Sequence, residues 1–169
     1  GGGAAAAAAA AAPAAVIVAA GRAHPVAVHH GAFSRAQYHL PGKLEEEVIK
    51  GVTFGLKREG DILVFLPGML QLHRARRALE RRLTRKELER TEVVLLHGSL
   101  GKEEQDAALR ASGTGKRRVL LATPVAESSL TVAGVRTVVD AGLARRPVRG
   151  EAGLRTAFVG RARALQRRG

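Results

Sequence analysis

The stretch RRVLLATPVAESSLTVAGVRTVVDAGLAR (residues 117–145) contains two apolar runs, VLLA (119–122) and VRTVVD (135–140), each with the length and composition of a buried strand. Between them stands TPVAESSLT (123–131), polar and rich in small hydroxyl residues. Such a segment is either an ordinary connection or a loop shaped to touch a ligand. The flanking sequence has to decide.

Upstream, ILVFL (62–66) is a continuous apolar run closed by Pro67-Gly68, the pattern of a strand buried on both faces. VVLL (93–96) reads as a further strand, followed by the loop HGSLGK (97–102). Helical spacing fills the intervals. Leu44, Val48, Ile49, Val52 and Leu56 mark a helix over 43–56, with three glutamates favouring its first turn. A long basic helix is predicted over roughly 69–90, with Leu72, Ala75, Leu79 and Leu83 as its inner stripe and Arg74, Arg77, Arg81 and Arg85 on other faces. A shorter helix is predicted over 103–111, and two short β-rich pieces over 16–30 around Gly21 and Pro25.

Short apolar strands alternating with amphipathic helices imply right-handed βαβ units, and so an α/β fold with a parallel sheet. Ligands of such sheets lie at the carboxyl ends of the strands. That rule singles out PGM (67–69), HGS (97–99), TPVAESS (123–129) and DAGLAR (140–145). The hydroxyl-rich stretch therefore stands where the fold places function.

The chain has 169 residues, enough for one domain with a sizeable core. Residues 1–15, GGGAAAAAAAAAPAA, are low complexity and are expected to be a disordered lead-in, with the domain over 16–169. The absence of cysteine excludes disulfides and thiolate metal sites. No apolar run approaches the roughly 18 residues of a membrane span, and no secretory pattern opens the sequence, so an intracellular, cytoplasmic place is expected. The formal net charge of +13, from 28 Lys and Arg against 15 Asp and Glu, is the footprint of a polyanion partner, although a sequence biased towards Arg and Ala gives the same sum. With aromatics at 3%, base stacking is a minor mode and phosphate contacts would dominate.

Several chemistries are excluded by pattern. Gly101-Lys102 and Gly115-Lys116 lack both the following Ser or Thr and the earlier glycine of a phosphate-binding P-loop. No Asp-Glu pair occurs to hold magnesium, and no GxGxxG fingerprint supports a Rossmann-type enzyme. The six histidines, at 24, 29, 30, 39, 73 and 97, show no metal-binding spacing. Ser128 and Ser129 lack the GxSxG elbow of a nucleophile, and their hydroxyls would cap a helix or donate to a phosphate oxygen.

Taken together, five segments resemble the second RecA-like domain of DEAH-box RNA helicases, with the HrpB-type branch the nearest in pattern. GRAHPV (21–26) is similar to the family's GRxxPV entry, and DILVFLPGMLQL (61–72) to motif IV. LLHGSLGKEEQDAAL (95–109) resembles its small-residue loop and helix, and residues 117–145 resemble motif V, TNIAETSLT…GVxxVVDxGLAR. RARALQRRG (161–169) resembles the opening of motif VI, QRxGRxGR. Pro124 stands for the family's Asn, Ser128 for its second Thr, and Leu109 where many members stack an aromatic on adenine. The segment that forms a strand-separating hairpin in the family, between Arg145 and Gln166, is short here.

The resemblance implies a RecA-like parallel sheet flanked by helices, lacking a P-loop of its own and incomplete at its C-terminal end. It implies one jaw of a two-domain ATP-dependent RNA helicase, with ATP and Mg2+ held only together with an N-terminal RecA-like domain. RNA and that domain are the expected partners; no oligomer is implied. Gly68, His97, Gly98, Ser99, Thr123, Glu127, Ser129 and Thr131 would face the RNA backbone, Thr123 and Ser129 through hydroxyls and backbone amides. Ser128 and Asp140 would serve the nucleotide, Asp140 near its ribose. Gln166 and Arg167 would face water and phosphate groups in the cleft as nucleotide-binding and catalytic residues. The sequence stops before the family's arginine fingers, so the isolated chain is expected not to hydrolyse ATP. The plainer alternatives are a carboxylate at Glu127 tying its own loop, a turn cap at Asp140, a solvated basic terminus at 166–167 and a solvated arginine face on the long helix. The competing function is a non-catalytic RNA- or protein-binding module on the same fold.

Overall fold

The computed structural model describes residues 25–31, 37–110, 113–124, 132–148 and 153–168. In chain order the elements are α1 (Lys43–Leu56), β1 (Asp61–Phe65), α2 (Met69–Arg82), α3 (Arg85–Arg90), β2 (Thr91–Leu96), α4 (Lys102–Leu109), β3 (Arg117–Ala122), β4 (Val135–Asp140), β5 (Leu143–Pro147), β6 (Leu154–Phe158) and α5 (Arg161–Arg168).

Strands β1 to β4 form one sheet in the order β2-β3-β1-β4, every pair parallel. Alternation along the central strands sorts their side chains to two cores. Ile62, Val64, Val119 and Leu121 face one side, with Val48 and Val52 of α1 and Leu72 and Leu79 of α2. Leu63, Phe65, Leu120 and Ala122 face the other, covered by Ala108 and Leu109 of α4 and by Val132. Both faces of β1 and β3 are dry, which is why these strands read as unbroken apolar runs.

Helix α1 approaches the sheet closely because it carries no side chain at two positions one turn apart. A Cβ on Gly51 would stand 2.6 Å from Val139 Cγ1, and one on Gly55 would stand 2.8 Å from Ile62 Cδ1. At the amino-terminal ends of the strands, two buried arginine clusters hold the layers in register. Arg118 donates through its backbone N–H to Asp61 Oδ1 at 2.8 Å and through Nε to Oδ2 at 2.8 Å. Its remaining donors reach the carbonyls of Ala108 (3.0 Å), Arg110 and Ala133 (2.7 Å). Arg117 donates to the carbonyls of Gly60, Leu56 (3.1 Å) and Gly55 (2.8 Å), closing the end of α1; partial burial lowers its pKa from the usual arginine value.

Two sequence expectations are corrected. The single helix over 69–90 is two, because Leu83 turns extended and Thr84 starts α3 with a capping box. Thr84 Oγ1 accepts from the Glu87 amide at 3.3 Å, and Glu87 accepts from the Thr84 amide at 2.7 Å. Residues 25–31 form no strand, the remainder of the expected β-rich pair lying outside the described residues. Within the short segment before α5, β5 pairs antiparallel with β6 from Leu143↔Phe158 to Pro147↔Leu154. The basic residues after β6 form α5 over Arg161–Arg168.

Candidate nucleotide and RNA interface at the strand ends

The register places the four ligand loops side by side. Leu96, Ala122, Phe65 and Asp140 are mutual partners across β2, β3, β1 and β4, so all four strands end level. The loops therefore follow one another in the order His97–Ser99, Thr123, Pro67–Gly68 and Asp140–Arg145 along an edge roughly 15 Å long, at about 4.8 Å between strands. Leu66 N–H donates to the Ala122 carbonyl at 2.8 Å and Thr123 N–H to the Leu96 carbonyl at 3.0 Å, carrying the ladder one step into the loops.

That second bond has a consequence for Thr123. Its amide is committed to the sheet, so it has only the hydroxyl to offer a ligand. Thr123 is 8% exposed, and its Oγ1 has no hydrogen-bond partner among the described residues. The same is true of His97 Nδ1, while Gly98 and Ser99 beside it are exposed. Two buried polar atoms without partners at one sheet edge are uncommon, and each costs free energy until a ligand or a neighbouring loop satisfies it. Glu127, Ser128, Ser129 and Thr131 lie outside the described residues.

Gly68 begins α2 in an extended conformation with no side chain capping the helix. The first amides of α2 thus open onto the edge, with the partial positive charge of a helix start, whereas α4 carries Glu103 and Glu104 in its first turn and the Glu104 carboxylate accepts from the Gly101 amide at 2.9 Å. A Cβ on Gly68 would stand 2.9 Å from Arg145 Cδ, so glycine here lets Arg145 of β5 lie over the end of β1. The Arg145 guanidinium is exposed and donates to the Leu154 carbonyl at 3.3 Å. Sequence reasoning had placed Arg145 at the close of a loop without assigning it a role; only the hairpin turns it back over Gly68.

The sequence profile of the family described as Helicase conserved C-terminal domain matches residues 43–169. The chain belongs to this family. Its relatives are DEAH-box RNA helicases. It is 33% identical over 124 residues to the ATP-dependent RNA helicase HrpB of Escherichia coli, covering 69% of the chain and 15% of that protein. It is 31% identical over 148 residues to a probable ATP-dependent RNA helicase spindle-E of Culex quinquefasciatus, covering 80% of the chain and 11% of that protein. A crystal structure of the Escherichia coli DEAH/RHA helicase HrpB superposes with a TM-score of 0.63 at 30% identity, over 75% of this chain and 16% of that one. The chain thus spans less than a fifth of the length of each of these relatives.

Within this helicase C-terminal domain, the sheet is the RecA-like one that the motifs implied. Two of the sequence-derived site residues meet in a way the sequence did not indicate. Arg167 was expected to face water; its guanidinium is instead buried, with the residue 4% exposed. Nη1 donates to Asp140 Oδ1 at 2.8 Å and to the Leu143 carbonyl at 3.4 Å, and the group lies 5.0 Å from the centre of the Phe65 ring. Asp140 Oδ1 also accepts from the Gly142 amide at 2.8 Å, so the turn-capping reading of Asp140 holds in this structure. Gln166, the neighbour of Arg167 on α5, is exposed. No described helix is long and apolar enough to cross a membrane.

Proposed function

We propose that this domain is the second jaw of an ATP-dependent RNA helicase, gripping the RNA backbone along its strand-end edge and closing on nucleotide held by a partner domain. The observation that carries this reading is the level ending of four parallel strands, which gathers the Thr123 hydroxyl, the His97 imidazole, the uncapped start of α2 and the Arg145 guanidinium along one line. Each is a donor or a positive pole suited to a phosphate oxygen. Gly68, Gly98 and Ser99 present little bulk there, so a sugar-phosphate chain can approach the backbone. Ser129, Thr131 and Glu127 continue the Thr123 loop and are assigned to the same RNA contact.

For nucleotide, the fitting residues are Asp140 and Gln166, with Ser128 of the loop. Asp140 keeps Oδ2 as an acceptor for a ribose hydroxyl, while Oδ1 is held by Gly142 and Arg167. ATP with Mg2+, when held by a partner domain bearing the P-loop this sequence lacks, would supply the free energy of domain closure, with Asp140, Gln166 and Ser128 facing it from this side. Arg167 acts here as a positioning residue: by anchoring Asp140 it fixes the end of β4 and the base of α5 to each other.

Titration of the chain with single-stranded RNA across a salt series tests the reading. Affinity is expected to fall linearly in log[salt], by about 0.7 in slope for each phosphate engaged. Absence of RNA binding, or an affinity indifferent to salt, would overturn it.

A further inference from the structure

The strand-end edge leaves one charged feature of the molecule unexplained. At 3.6 residues per turn, Arg74, Arg77 and Arg81 share the face of α2 opposite its buried residues Leu72, Ala75, Ala78 and Leu79. All three are exposed, and none pairs with an acidic side chain among the described residues. Arg76, on the neighbouring face, is paired with Glu80 at 2.8 Å. Of the chain's 15 acidic residues, only Glu127 and Glu151 lie outside the described ones. The stripe runs roughly 10 Å along the axis, at about 1.5 Å per residue. Its upper end, Arg74, stands about 9 Å along the axis from Gly68 on the strand-end edge, six residues at about 1.5 Å each.

We propose that the outward face of α2 is a second RNA-backbone track, on which a strand leaving the strand-end edge continues along Arg74, Arg77 and Arg81. This rests on RNA lying at that edge. Three features favour a phosphate chain over an acidic protein. The guanidinium fork matches phosphate oxygens and keeps its charge at any working pH. The three groups form one line rather than a patch, as a strand requires. Protein interfaces centre on buried apolar anchors, and the face offers only Leu70, 57% exposed, at its very end. A face kept only for solubility would be served by mixed signs.

The test compares the chain with the triple variant Arg74→Gln/Arg77→Gln/Arg81→Gln and with a control of equal charge change, Lys50→Gln/Lys57→Gln/Lys116→Gln, on α1 and before β3. Each is titrated across salt with a short oligouridine that spans only the strand-end edge and with one three times as long. Glutamine keeps the helix propensity of α2, and matching thermal melts establish that the variants are folded. The arginine variant is expected to weaken binding of the long RNA and to lower its salt slope by about 2, three contacts at ~0.7 each. It is expected to leave the short RNA unchanged, and the control is expected to affect neither. Wild-type affinity and slope on the long RNA, or an equal loss in the control, would overturn the track while leaving the strand-end reading intact. A wild-type chain that binds neither RNA removes both. Dependence on the stripe seen for polyglutamate but not for RNA assigns the face to an acidic protein and overturns the proposal.

Discussion

Arg118 shows how one side chain can set the register of a sheet. Its donors reach Asp61 at the start of β1, the end of α4 and the turn before β4, from a site that is 2% exposed. Exchange for methionine keeps the volume but leaves the Asp61 carboxylate and the accepting carbonyls without partners. Breaking a buried pair from one side costs about 3–5 kcal/mol. Arg118→Met is therefore expected to lower the unfolding free energy obtained from urea denaturation by that amount; a loss below about 1 kcal/mol would show the cluster to be solvated. Nothing in the sequence marks this arginine, since its carboxylate stands 57 residues away and only strand pairing unites them. Arg167 was misjudged for the same reason. A terminal run of basic residues reads as solvated until Asp140 and Phe65 are seen to meet beneath it. The gathering of the strand-end loops at one edge was legible because parallel strands separated by helices bring their carboxyl ends to the same side.

At the scale of elements, apolar spacing marked α1 to the residue, and β4 likewise. It failed at Leu83, whose place on the inner stripe continued the pattern through a break in the backbone. The break was signalled by other chemistry, a Thr followed three residues later by Glu, which is the sign of a helix start. Thr84→Ala is expected to cost about 1 kcal/mol. Hydrogen bonds from Thr84 hold the Glu87 carboxyl below its ordinary 4.5, so the contribution is complete above that pH and fades as pH falls through the lowered value. Denaturation of both forms between pH 7 and 3 checks this: the difference should shrink on acidification, and growth of the difference would contradict the capping box. The packing of α1 yields a second expectation. Gly51→Ala drives a methyl into Val139 and should destabilise by about 1–3 kcal/mol in thermal unfolding, whereas an exposed helical glycine replaced by alanine would stabilise.

For the whole molecule, the order β2-β3-β1-β4 and its level strand ends matter more than any single residue. They convert four loops, far apart in sequence, into one continuous surface on a chain of net charge +13. The hairpin β5-β6 adds Arg145 to that surface, a contribution hidden in the sequence because β5 follows β4 almost directly. Backbone amide hydrogen exchange of the chain with and without single-stranded RNA shows whether RNA lies along this edge. New protection is expected at residues 68–71, 97–99, 123–131 and 140–145, alongside the face of α2. Protection confined to α1, or to the opposite ends of the strands, would contradict the account.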